Sequence, residues 1–123
     1  MNNYIELGNL KTYKLSREFS RISWDIYNQL NYSLRKTMGD QFIRSIDSVG
    51  ANIAEGYGRW HYLNRIRFYY NARGSLFETK HWVELMYERE IINQDTYDKL
   101  ITLIDKIGKK LNKLINEIKN INQ

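Results

Sequence analysis

A chain of 123 residues with 19 Lys and Arg, 14 Asp and Glu, a formal charge of +5 and no cysteine has the length of one domain around one core, and lacks any thiol for a disulfide, a thiolate metal site or a cysteine nucleophile. Its two histidines, His61 and His81, stand twenty positions apart, too few for a His-rich metal site in one chain, so neither metal nor cofactor is expected. The N-terminus lacks a basic stretch followed by an apolar run, and no window approaches the roughly 18 to 20 apolar residues of a membrane span, so the expectation is a soluble cytoplasmic protein.

No proline occurs. Because proline costs about 3 kcal/mol inside a helix and is otherwise common in turns, its absence points to long helices with short connections. Apolar residues at three- and four-residue steps mark four of them. The first is expected at about 11–36, with Leu15, Phe19, Ile22, Ile26, Leu30 and Leu34 on one stripe, and Thr37-Met-Gly-Asp breaks it. Asp40 then serves as N-cap or first-turn acid of the second, about 40–58, whose stripe is Phe42, Ile46, Val49, Ile53 and Tyr57. Tyr57-Gly-Arg-Trp-His-Tyr is the expected turn, with Gly58 as C-terminal cap. The third, about 63–90, carries Ile66, Tyr69, Tyr70, Leu76, Phe77, Val83 and Met86 or Tyr87, and Asn93-Gln94-Asp95 offers a turn and a cap.

The fourth helix, about 95–120, has Leu100, Ile104, Ile107, Leu111, Leu114, Ile118 and Ile121 in an unbroken heptad seam. The expected architecture is all-α, an up-down-up-down antiparallel four-helix bundle in a single domain, 1–123. Ten Tyr and three Trp exceed what one narrow bundle core holds, so some aromatic faces are expected to meet a partner subunit or ligand.

Ser48-Val-Gly-Ala-Asn-Ile-Ala-Glu-Gly-Tyr-Gly-Arg59 lies inside the second helix. Its glycines fit no phosphate-loop spacing and follow no strand. On a helix, Gly50 with Ala54 and Asn52 with Gly56 line adjacent ridges where another backbone can approach, and Ala72-Arg-Gly-Ser75 repeats the pattern in the third helix. The two small patches are expected to face each other, with Arg73 and Glu78 pairing with Glu55 and Arg59 across the contact. An acid/base site from Glu55 and Glu78 finds no accompanying histidine, carboxylate or nucleophile, so no catalytic residue is expected and the protein reads as non-enzymatic. His81 and Trp82 read as packing residues.

Between Tyr57 and Arg73 four arginines, Arg59, Arg65, Arg67 and Arg73, occur without an acid. Their interleaving with aromatics suits phosphate contact with base stacking, and equally a protein interface. A second excess lies on the last helix at Lys106, Lys109, Lys110 and Lys113. The candidate nucleic-acid-binding residues are therefore Arg59, Arg65, Arg67, Lys106, Lys109, Lys110 and Lys113, with a steep salt dependence expected. A solvated lysine face and a polypeptide partner remain open as alternatives.

Asn52-Ile53-Ala54-Glu55-Gly56 with Arg59, followed by Ala72-Arg73-Gly74-Ser75 across an aromatic link containing Phe68-Tyr69-Tyr70, resembles the bacterial four-helix bundle family of 23S ribosomal RNA intervening-sequence proteins. The similarity extends over nearly the whole chain. It implies a homopentamer around a central channel and no enzymatic activity. It also points to the accessory protein of diversity-generating retroelements, which is similar in fold and partners a reverse transcriptase and nucleic acid. Asn52, Glu55, Gly56, Arg59, Arg73, Gly74 and Ser75 match the family motifs, and with Glu78 they are expected to organise helix packing and the subunit interface.

Overall fold

The computed structural model describes residues 5–59 and 61–121. Trp60, in the expected turn, and the side chains of Tyr62 and Ile121 lie outside the described set. A short 3-10 turn (Leu7–Asn9) leads into α1 (Lys11–Gln29), and α2 (Asp40–Tyr57), α3 (Tyr62–Glu88) and α4 (Gln94–Ile121) follow, with no strand among the described residues.

The first helix ends earlier than its periodicity suggests. It stops at Gln29 instead of running to Lys36, and Leu30 and Asn31 are extended, with ψ of 143° and 171°. The Asn31 side-chain oxygen accepts from the Leu34 N–H at 2.9 Å, an N-cap contact that starts a new helix. From there a turn at Tyr32–Leu34 and a π-helical stretch at Arg35–Gly39 run into α2 without a gap. Arg35 stabilises the early stop, because its guanidinium donates at 3.0 Å to the Asn28 carbonyl and at 3.2 Å to the Tyr27 carbonyl, which also accepts from the Leu30 N–H at 3.0 Å, so that the last carbonyls of α1 find partners beyond its own ladder.

The expected breaker, Gly39, is instead a contact. A Cβ there would lie 3.0 Å from Leu30 Cδ1 and 3.2 Å from the Tyr27 ring. Asp40 is the first-turn acid of α2, one of its two expected roles, and not its N-cap, since the helical run is continuous through Gly39. It accepts from the Tyr27 hydroxyl at 2.6 Å and faces Lys36 Nζ at 3.4 Å, and the Tyr27 hydrogen bond holds its carboxyl below the usual carboxylate range.

The remaining boundaries lie close to those expected. Gly58 closes α2 by donating its N–H to the Ala54 carbonyl at 3.0 Å, with an ordinary helical φ of −78°. Asn93 caps α4 by accepting from the Thr96 N–H at 2.9 Å. In space α2 lies between α1 and α3, while α4 touches both α3 and α1. Ser20 of α1 meets Asp47 of α2, Ser48 of α2 meets Ser75 of α3, and Arg73 of α3 meets Asn112 of α4.

Of the expected stripes, Phe42, Ile46, Val49 and Ile53 on α2 and Leu100, Ile104, Ile107, Leu111 and Ile118 on α4 are buried, while Tyr57 and Leu114 are half-buried and the Ile121 side chain lies outside the described set. The other two helices differ from expectation. On α1 the buried line is Thr12, Ser16, Phe19 and Ser23, while Leu15, Ile22 and Ile26 are half-buried beside the core. On α3 it is Tyr69, Ala72, Leu76, Thr79, Val83 and Met86; Phe77, expected on that stripe, is 68% exposed, and Tyr70, open between core and interface in the sequence, is exposed as well. Small side chains occupy these seams where neighbouring helices come close, as at Gly50, whose Cβ would lie 3.2 Å from Ser16 Oγ. Close-packed interiors select residues there by volume, so hydropathy does not mark them.

Candidate nucleic-acid interface

Of the family-motif residues of α2, Gly56 and Asn52 lie at a tight, partly polar contact with α3. A Cβ on Gly56 would fall 2.8 Å from Tyr69 Cε1 and 3.1 Å from Phe68 Cβ, and burial of Tyr69 pushes its phenol up to about 12. Beside it runs a chain of hydroxyls. Asn52 Nδ2 donates to the Ser48 carbonyl and lies 3.1 Å from Ser48 Oγ, which is 3.0 Å from Ser75 Oγ. Thr79 Oγ1 lies 2.8 Å from the Ser75 carbonyl and 3.0 Å from Ser45 Oγ. Because Ser45 donates to the Phe42 carbonyl at 2.7 Å, it accepts from Thr79, and the buried polar atoms are satisfied without water.

The expected charge pairing across this contact does not form. Glu55 and Arg59 pair with each other at 2.6 Å along α2. Arg73 donates to Asn112 Oδ1 on α4 at 2.9 Å, and Glu78 accepts from Trp82 Nε1 at 3.2 Å. The rotation of α3 is the reason: Ala72, Ser75 and Thr79 occupy the side toward α2 and the core, leaving Arg73 and Glu78 to other faces. Gly74, expected in the facing patch, is exposed, with nothing within 4 Å of its Cβ position. Trp82 does pack against the core, whereas His81 is exposed, its ring centre 4.9 Å from that of Trp82 in an edge-on contact.

The basic candidates fall into two groups. Arg59, Arg65 and Arg67 lie around the α2–α3 junction. Arg59 and Arg67 hold their guanidiniums 5.0 and 5.1 Å from the Phe68 ring centre, and Arg65 donates to the Arg59 carbonyl. Arg73 and Lys119 likewise cover Tyr70, at 4.9 and 5.7 Å. The arginine–aromatic interleaving seen in sequence therefore forms cation–π contacts within the chain, and a base stacking on these rings would have to displace the cations.

Lys106, Lys109 and Lys110 form the second group, and the structure adds two residues that the sequence reading missed. Together with Lys11 and Lys14 of α1 they surround a groove between α1 and α4 that Leu15 also lines, and among the described residues no carboxylate does. Lys113 borders the adjoining groove with Lys11, Lys110 and Glu117. None of these lysines forms an ion pair among the described residues. Long lysine stems can cover the apolar floor while their ammonium groups stay in water, so the groove offers several mobile positive charges to a polyanion.

Charge is polarised along the bundle as well. The segments 5–23, 46–78 and 106–121 together hold thirteen of the 19 Lys and Arg and six of the 14 Asp and Glu, and the segments 24–45 and 79–105 hold six and eight. Both candidate groups lie in the positive segments. Among the described residues no cluster of three or more His, Asp or Glu is arranged to hold a metal, and no helix is long and apolar enough to cross a membrane.

Comparison with known proteins agrees with this architecture. A protein of unknown function from the S23 ribosomal protein family of Bacteroides thetaiotaomicron has a similar crystal structure, with a TM-score of 0.77 and 25% sequence identity, covering 86% of this chain and 96% of that one. No match was found among curated proteins. The sequence model of the 23S rRNA-intervening sequence protein family matches residues 8–113, and the chain belongs to that family.

Proposed function

We propose that this protein is a non-enzymatic, oligomeric bundle that binds RNA or DNA through its basic surfaces. The observation that carries the reading is the α1–α4 groove, where five lysines converge without a carboxylate. Lys106, Lys109, Lys110 and Lys113, with Lys11 and Lys14, displace counterions from phosphates, and Arg59, Arg65 and Arg67 extend the contact around the same end of the bundle. The order of helix contacts supports an up-down-up-down antiparallel topology.

Self-association completes the proposal. Leu63, Tyr70 and Phe77 recur every seven residues on the outer side of α3 and are exposed, Leu63 at 73%. A second apolar seam on a helix already packed along its first suits contact with another copy, in keeping with the pentamer that the family resemblance implies. Several copies of one weak basic groove add avidity without new contacts. The same seam favours a second reading, an accessory subunit docked on a partner protein such as a reverse transcriptase.

The test is binding of the full-length protein to labelled RNA and DNA, with its mass measured by light scattering. Neutralising about four or five phosphates predicts an affinity loss of roughly 10³-fold between 50 and 300 mM salt. Equal affinity at both salt concentrations, or no binding at either, overturns the nucleic-acid reading. A monomer overturns the oligomer.

A further inference from the structure

A second groove lies between α1 and α2, lined by Arg17, Ser20, Arg21, Trp24, Ile43 and Asp47. Trp24 is its unusual member, a large apolar side chain left 53% exposed beside two arginines. Its indole stacks on Tyr27, with ring centres 5.4 Å apart and planes 9° from parallel. Tyr27 is held in turn: its hydroxyl donates to Asp40 at 2.6 Å, and the Arg35 guanidinium lies 4.9 Å from its ring centre. The indole is thus mounted on an anchored ring, while its side toward Arg21 borders open groove.

No cation covers the Trp24 ring among the described residues, in contrast to Phe68 and Tyr70. Arg21 and Arg17 precede Trp24 by three and seven residues, so they stand about one and two helical turns away along the same face of α1. Arg21 makes no ion pair among the described residues, and Arg17 donates to Tyr13 Oη at 2.9 Å. The groove's one lining acid, Asp47, already accepts from Ser20 Oγ at 2.6 Å. An immobilised, uncovered aromatic face followed by spaced guanidiniums fits a base with its adjoining phosphates. A purely apolar partner would leave the guanidiniums unpaired.

We propose that this α1–α2 groove binds an unpaired nucleobase of single-stranded RNA or DNA by stacking on Trp24, with Arg21 and Arg17 holding the neighbouring phosphates. The proposal rests on the nucleic-acid reading above and adds a preference that the lysine groove alone does not supply. Phosphate contacts attract single strands and duplexes alike, whereas a stacking site requires a base outside the double helix.

The experiment compares the intact protein with Trp24→Ala, Trp24→Phe and Arg21→Gln variants, measuring affinity for a short single strand and its duplex at fixed salt. Helix content and oligomeric mass are followed in parallel. The expected result is that Trp24→Ala weakens single-strand binding about tenfold and leaves duplex binding within about twofold, while Trp24→Phe retains most of the affinity. Arg21→Gln should lower the single-strand salt slope by about 0.7. Unchanged single-strand affinity in Trp24→Ala, an equal loss for both ligands, or an unchanged slope in Arg21→Gln overturns the stacking site and leaves the lysine-groove reading in place. A fall in mass on removing Trp24 also overturns it, assigning the indole to a contact between copies. If the unmodified protein binds neither ligand, both readings fail together.

Discussion

Along the α2–α3 contact, Gly56, Ser48, Ser75 and Thr79 bring two helices close enough for hydroxyl chains and ring-to-backbone packing. Along the α1–α4 groove, Lys11, Lys14, Lys106, Lys109 and Lys110 keep the surface open. The first region has no slack in volume and all its polar atoms are paired within the protein. The second presents lysine ammonium groups that form no ion pair among the described residues. Of the family-motif residues, Asn52, Gly56 and Ser75 lie in the first region and none in the second, so these three report how the bundle closes. The lysine candidates belong to the second region, and Arg59, Arg65 and Arg67 lie outside it, around the α2–α3 junction. Substitutions in the two regions should therefore separate stability from binding.

The largest separation is expected from reversing charge in the open region. A Lys109→Glu/Lys110→Glu double variant should weaken nucleic-acid binding by about 100-fold at moderate salt and reduce the salt slope by about two or more. Its denaturant midpoint should stay near that of the parent, because neither lysine forms an ion pair among the described residues and surface substitutions seldom exceed ~0.5 kcal/mol. Binding titrations at several salt concentrations alongside urea unfolding measure both quantities. A large loss of stability with little change in binding would reverse the assignment of the two regions.

Gly56→Ala is the corresponding change in the closed region. Alanine gains up to about 1 kcal/mol over glycine in a helix interior. Here, however, the new methyl would lie 2.8 Å from the ring of a tyrosine that is itself only 2% exposed. Overpacking of this kind costs roughly 1 to 3 kcal/mol, so a net destabilisation of about 1 to 2 kcal/mol is expected, with binding unaffected wherever the variant is folded. Urea unfolding decides the sign. An unchanged or higher midpoint would mean that Tyr69 yields and the contact is looser than its geometry indicates.

The same contrast explains what was legible in the sequence. The stripes of α2 and α4 could be read because nearly every inward position is a large aliphatic or aromatic residue. Those of α1 and α3 were misread where Thr12, Ser16, Ser23, Ala72 and Thr79 point inward, since close helix approach selects small volume and carries no hydropathy signal. Phe77 was placed on the inward stripe, and Tyr70 left open between core and interface, for the complementary reason: hydrophobicity alone does not distinguish a first seam from a second. The break at Leu30-Asn31 was hidden because Leu34 continues the apolar spacing across it. The Arg73 and Glu78 pairings failed because they depend on the rotation of α3, which the seam error left wrong. Lys106, Lys109 and Lys110 were visible as a run on one helix. Lys11 and Lys14 join them only once α1 is known to lie beside α4, although two lysines in the first turn of α1 already hinted at a basic end.

Gly74→Ala should give the smallest effect and the opposite sign. Gly74 lies in the interior of α3, in a motif that pairs it with Ser75, yet an added Cβ meets nothing within 4 Å. With no clash to oppose it, the substitution acts through the lower conformational entropy of the unfolded chain and the better helix propensity of alanine, stabilising by about 0.5 to 1 kcal/mol. That gain appears as a higher urea midpoint with an unchanged slope. If Gly74→Ala instead destabilises, or lowers the oligomeric mass, the open space beside Gly74 in one chain is filled by another copy. The small-residue patch on α3 would then belong to the subunit interface, while Gly56 would remain tied to the interior of the bundle.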